Sequence, residues 1–189
     1  MLVEELGSTL LTVAKDVKLQ IEFNPENVSK YRLIGYENRT MAAEDFDDDA
    51  KDGGEIGAGH SVTVLYELIP AGTEEDETDD GLRYQDQDTK NKKDLSDEWL
   101  TLSVRYKEPD ADTSELLEYQ IGKDEYTKDP TDDFRFAAAV AETGMVLHDS
   151  EYLGNGSLDQ AYEALKELKS TDEYQDEFIY MVNRLKRNS

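Results

Sequence analysis

Apolar and polar residues alternate strictly over residues 17–23. Val17, Leu19, Ile21 and Phe23 fall on one side, and Lys18, Gln20 and Glu22 on the other. Period two places successive side chains on opposite faces, so the pattern predicts a strand with one buried face. Asn24-Pro25 ends it, because proline cannot donate to a ladder. The same rule predicts strands over residues 31–36 and over Val62, Val64, Tyr66 and Leu68. It predicts a fourth where Leu100, Leu102, Val104 and Tyr106 alternate with Thr101, Ser103, Arg105 and Lys107. Leu117, Tyr119 and Ile121 mark a fifth, and residues 82–85 a short edge strand. Strand follows strand with no helical pattern between, which predicts antiparallel pairing in a sandwich.

Both ends of the chain read differently. Leu2, Val3, Leu6, Leu10 and Val13 form one stripe at helical spacing over residues 2–14. After Pro130 helical spacing returns. Over residues 132–149, Phe134, Ala137, Ala138, Ala141, Met145 and His148 lie on one side, with Phe136, Val140 and Leu147 on another. A helix apolar on two sides is expected to be largely buried. Gly154-Asn155-Gly156 breaks it. Ser157 with Gln160, and Ser170 with Glu173, are capping-box patterns for helices over about 157–169 and 173–187. The expected fold is therefore α+β: an antiparallel immunoglobulin-like β-sandwich over 17–125, then a helical part of about three helices over 126–189 packed on it. A helix over 1–16 precedes both. Residues 71–98 carry eleven acids against four bases and few apolar groups. They are expected to be a flexible acidic loop, since little burial is available there to offset ordering entropy.

Charge narrows the partners. The chain holds 45 acidic and 20 basic residues, a formal net charge of -25. Nucleic-acid binding requires a basic footprint, and anionic membrane surfaces repel an acidic chain, so neither is an expected partner. Solubility, basic proteins and divalent cations suit this balance. There is no cysteine, so thiolate chemistry and disulfides are excluded. Residues 1–11 lack the basic and apolar regions of a signal peptide. The longest strongly apolar run, residues 136–141, is too short to span a bilayer.

One segment stands out chemically. Asp45, Asp47 and Asp49 occupy the first three ligand positions of a calcium-binding helix-loop-helix site, but Ala50 stands at the turn glycine and Ile56 at the bidentate glutamate. The three aspartates remain calcium candidates against the alternative of a solvated acidic turn. No metal ligand is assigned, and no cofactor is expected apart from possible calcium. Gly54, Gly57 and Gly59 follow an acidic run and precede a strand, the reverse of a dinucleotide-binding context. His60 and His148 lack any metal-ligand spacing. No nucleophile elbow, phosphate loop or zinc-protease motif occurs, so no catalytic residue is assigned. Abundant carboxylates leave a glycosidase-like pair as a weak enzymatic alternative.

Longer phrases add a resemblance. LVEELGSTLLTVAKDVK (2–18), FNPENVSKYRLIGYENR (23–39), GEIGAGHSVTVLYEL (54–68), WLTLSVRYK (99–107) and DFRFAAAVAETGMVLHDSEY (133–152) occur in that order. Together they resemble the C-terminal region, of unknown function, of bacterial von Willebrand factor type A proteins of the YfbK kind. The resemblance implies that residues 1–16 correspond to the last helix of a preceding type A domain. It also implies a cell-envelope parent protein, in which protein partners include the type A domain itself. Asp112-Thr113-Ser114 matches only the first half of the DxSxS metal motif of type A domains, so that site is not carried over. The implied function is a non-catalytic accessory or interaction module. The alternatives are a calcium-stabilised surface-binding domain and, more weakly, a carboxylate-based hydrolase.

Overall fold

The computed structural model describes residues 11–36, 39–73, 97–170 and 172–188. The chain divides into two compact units, one through Tyr126 and the other from Thr127.

The first unit is antiparallel β-structure. Its strands are β1 (Thr12–Phe23), β2 (Val28–Ile34), β3 (Gly54–Gly57), β4 (Leu65–Pro70), β5 (Glu98–Lys107) and β6 (Glu115–Gly122). Four of them form a sheet in the order β3-β1-β5-β6, and β2 pairs with β4 in a second sheet. Two antiparallel sheets and, beyond them, three helices make the molecule α+β. Leu19, Ile21 and Phe23 lie opposite Val104, Leu102 and Leu100. Those three in turn lie opposite Leu117, Tyr119 and Ile121. The alternation read in the sequence thus becomes one apolar face spread across three strands. At the end of β1 the Phe23 ring meets Tyr31 at 4.2 Å and Tyr66 at 5.4 Å, tying β1 to the second sheet. The Asn24-Pro25 turn is fixed by Nδ2 groups of Asn24 and Asn27 that both donate to the Glu98 carbonyl.

Several expectations need correction. β1 starts at Thr12, so residues 12–16, assigned to the end of an N-terminal helix over 1–16, belong to a strand; residues 1–10 lie outside the described residues. Thr12 and Ala14 pair with Gly57 and Ile56 of β3, and a cross-strand ladder overrides a weak helical periodicity. Val62 lies before β4 rather than within it, and residues 54–57, for which no strand is expected, form β3. The expected edge strand at 82–85 and most of the acidic loop lie outside the described residues.

The second unit holds α1 (Asp132–Leu147), α2 (Leu158–Leu165) and α3 (Glu173–Asn188). Thr131 caps α1 by accepting from the Phe134 amide, and Ser157 caps α2 by accepting from the Gln160 amide. The third cap differs from expectation. Asp172, not Ser170, accepts from the amide three residues on, Gln175, at 2.9 Å. An aspartate immediately before the first turn satisfies an orphan amide and also faces the positive helix end. Ala139, Ala161, Leu165 and Val182 form the core, with Phe136, Tyr162, Leu168, Phe178 and Ile179 packed around them. Phe136 and Phe178 meet edge-on at 5.5 Å. The 132–149 helix is not buried all round. Phe134, Val140 and Leu147 are exposed, because only the stripe through Ala139 and Thr143 is covered by its neighbours.

Candidate functional site

The acidic run 45–52 and the polar face of the four-stranded sheet come together through hydrogen bonds and ion pairs made by Lys18, Arg105 and Lys107. The arrangement begins with a β-bulge. Two residues of β1 separate Lys15 from Lys18, against one between Lys107 and Arg105 on β5. The extra residue is Asp16, whose backbone is left-handed at φ 52. A bulge bends a strand and re-aims its side chains. Here it turns the Asp16 carboxylate across the sheet, where it accepts from Lys107 Nζ at 2.7 Å and from the Gly53 amide at 3.2 Å. Gly53 has to be glycine. A Cβ there would lie 2.7 Å from the Asp16 carbonyl carbon and 2.7 Å from the Val17 oxygen, both backbone atoms that cannot swing away.

Residues 43–53 then fold over the sheet, anchored by the buried Phe46 ring. The Arg105 guanidinium lies over that ring at 5.4 Å. Two lysines underneath are almost fully buried, Lys18 at 3% and Lys107 at 8% exposure. A buried ammonium group is tolerable only when its protons find acceptors. Lys18 Nζ donates to the carbonyls of Asp45 at 3.1 Å and Asp48 at 2.5 Å. Lys107 Nζ donates to the Asp49 carbonyl at 2.9 Å as well as to Asp16. The loop thus presents backbone oxygens inward, as a metal-binding loop would, and lysine ammonium groups occupy them.

The three calcium candidates are brought near one another but point to different partners. Asp45 pairs with Lys51 at 3.4 Å. Asp47 takes the Arg105 guanidinium at 2.5 Å. Asp49 accepts from the Ser114 amide at 3.5 Å, and Ser114 Oγ also accepts from Arg105 at 3.1 Å. Among the described residues no group of three or more histidines or carboxylates is placed to hold a metal ion. Asp112-Thr113-Ser114 contributes Ser114 to this network, and Asp112 is exposed. His60 and His148 are both exposed and sit in different units.

At Asp16, Asp49 and Lys107 the charged form is favoured. The Lys107 hydrogen bond, followed by that from Gly53, holds the Asp16 carboxyl below its ordinary value. The Ser114 hydrogen bond lowers Asp49, and Asp16 in turn raises Lys107. Proton transfer near neutrality needs the opposite displacements, a carboxyl raised or an amine lowered toward the working pH. The network is built to hold a loop on a sheet. Sequence reading placed Lys18, Arg105 and Lys107 on the polar, solvent side of their strands. They are on that face, but the acidic loop covers it. The available signal was Phe46, a large apolar residue inside an acidic run that had to be buried somewhere.

With the geometry in place, comparison with known proteins assigns the family. Residues 8–187 match the family described as "Uncharacterized protein YfbK, C-terminal". The chain belongs to the YfbK C-terminal family. A relative from Escherichia coli (strain K12), "Uncharacterized protein YfbK", is 42% identical over 180 residues. The aligned region covers 94% of this chain but 31% of that relative, so the chain spans about a third of the relative's length. No solved structure matches the chain. The family match contains the whole lysine-aspartate network, from Asp16 to Ser114.

Proposed function

We propose that this YfbK C-terminal region is a non-catalytic accessory and interaction module that follows a von Willebrand factor type A domain in a bacterial envelope protein. On this reading the two antiparallel sheets form an immunoglobulin-like sandwich, joined where the Phe23 ring meets Tyr31 and Tyr66. One observation carries the proposal. The apolar face of the four-stranded sheet reaches solvent at Leu19, Leu117 and Tyr119, which are 44%, 40% and 52% exposed. A continuous apolar surface flanked by polar groups is the usual mark of a protein contact site. The partner this reading commits to is the remainder of the parent polypeptide, since most of the relative's length lies outside the aligned region. On the polar face, by contrast, Lys18, Arg105 and Lys107 are engaged with the 43–53 loop.

The test is binding of this chain, in trans, to the separately purified preceding part of the parent protein, followed by calorimetry. Measurable affinity, abolished by Leu117→Asp with Tyr119→Asp while the fold is retained by circular dichroism, is the expected result. Undiminished binding by that double variant, or no binding at all, would overturn the reading.

A further inference from the structure

The strand β6 carries an inference that deepens this reading and rests on it. β6 lies at the end of the four-stranded sheet, and among the described residues it has a ladder partner on one side only, β5. Its first six residues, Glu115 to Gln120, are all exposed. Natural sheets blunt such an edge by shortening it, by proline, by a bulge, by a covering segment or by charged side chains, and of these β6 carries charge, at Glu115 and Glu118. β6 is eight residues long and contains no proline, and over Leu100–Tyr106 its register with β5 is unbroken. We propose that β6 is a strand-addition site whose occupant is an extended segment alternating apolar and basic residues. Added strands gain affinity from main-chain hydrogen bonds and specificity from alternate side chains.

The side chains of β6 define that occupant. On one face Leu117, Tyr119 and Ile121 continue the apolar surface from Val104, Leu102 and Leu100. A strand added beside them places apolar residues there. On the other face the central charge is Glu118, whose neighbour across the ladder is the uncharged Ser103. Glu115, by contrast, accepts from the Tyr106 hydroxyl at 3.1 Å. Glu118 therefore favours a lysine or arginine on an incoming strand. It disfavours a second copy of this chain, which would bring its own Glu118 and a formal net charge of -25. Edge charge here acts as a filter on the sign of the partner.

The probes are three synthetic decapeptides: alternating Val-Lys, alternating Val-Glu, and a block peptide with five valines followed by five lysines. Binding to the full chain is read by fluorescence anisotropy, and its location by amide hydrogen exchange. The alternating Val-Lys peptide is expected to bind more tightly than the block peptide of equal charge and to protect β6 amides. Glu118→Lys should weaken it by up to about fivefold, the span of one cross-strand charge pair, and should improve the Val-Glu peptide. Equal binding of the alternating and block peptides, protection away from β6, indifference to Glu118→Lys, or self-association of the chain through β6 would each overturn the proposal. If the parent protein's preceding part binds while the peptides do not, strand addition fails and the interaction reading stands.

Discussion

At the scale of single residues, Gly53 is tightly constrained where it passes the Asp16 bulge, with three backbone atoms within 3 Å of where a Cβ would stand. Gly53→Ala forces backbone atoms apart, and overpacking of this kind costs about 1–3 kcal/mol. For a chain of this size that lowers the melting temperature by roughly 2–12 °C, to be checked by thermal denaturation. Gly144 is the control. A Cβ there meets nothing within 4 Å, and it lies inside α1. Gly144→Ala should raise stability by about 0.5–1 kcal/mol through helix propensity. The Asp16–Lys107 pair makes a second prediction. Asp16 is depressed in the folded state, so its stabilisation is present above the ordinary carboxyl value of 3.8 and is lost as pH falls below it. Lys107 is raised, so its contribution is complete below its ordinary value of 10.5 and is lost only as pH rises beyond it. Between those limits wild type should exceed Asp16→Asn by a constant margin in urea denaturation. That margin should shrink from pH 4 to pH 2; a margin independent of acid would remove the pair from the stability of this fold.

At the scale of elements, period-two alternation located β1, β5 and β6 because successive side chains of a strand project to opposite faces of the sheet. It missed β3, a four-residue strand that contains two glycines and has no alternation to read. The capping patterns located α2 through Ser157, but the second pattern, for α3, chose the wrong residue. Ser170 donates its hydroxyl to the Asp172 carbonyl, and Asp172 does the capping. Asp172→Ala should therefore cost about 0.5–2 kcal/mol, while Ser170→Ala should fall within about 0.5 kcal/mol of wild type. Equal losses in chemical denaturation would restore Ser170 as the cap. The overestimate of burial along α1 has a geometric origin. Composition counted apolar residues on two sides of the helix, but in a three-helix unit the core lines only one stripe.

At the scale of the whole molecule, the formal charge of -25 makes any cation stabilising by screening, so calcium must be compared with sodium at matched ionic strength. Lysine ammonium groups already hold the loop carbonyls of Asp45, Asp48 and Asp49, so the two salts should shift the melting temperature equally. A specific site would instead add about 2.7 kcal/mol at a hundredfold excess over its Kd. A calcium-specific shift removed by Asp47→Ala with Asp49→Ala would revive the three aspartates as ligands. No helix of the described residues is long and apolar enough to cross a membrane. The sequence by itself determined the α+β character, three of the long strands, the three helices and the family, because periodicity, capping residues and ordered phrases are local properties of a chain. Only the tertiary structure decided what the acidic run is for. Asp16, Lys18, Gly53, Arg105 and Lys107 are dispersed along the chain, and nothing local marks Lys18 or Lys107 as different from any solvent-facing lysine. Their burial follows from a bulge that turns one carboxylate and a loop pinned by one phenylalanine. Both depend on which strands pair, and that choice is made by the whole sheet.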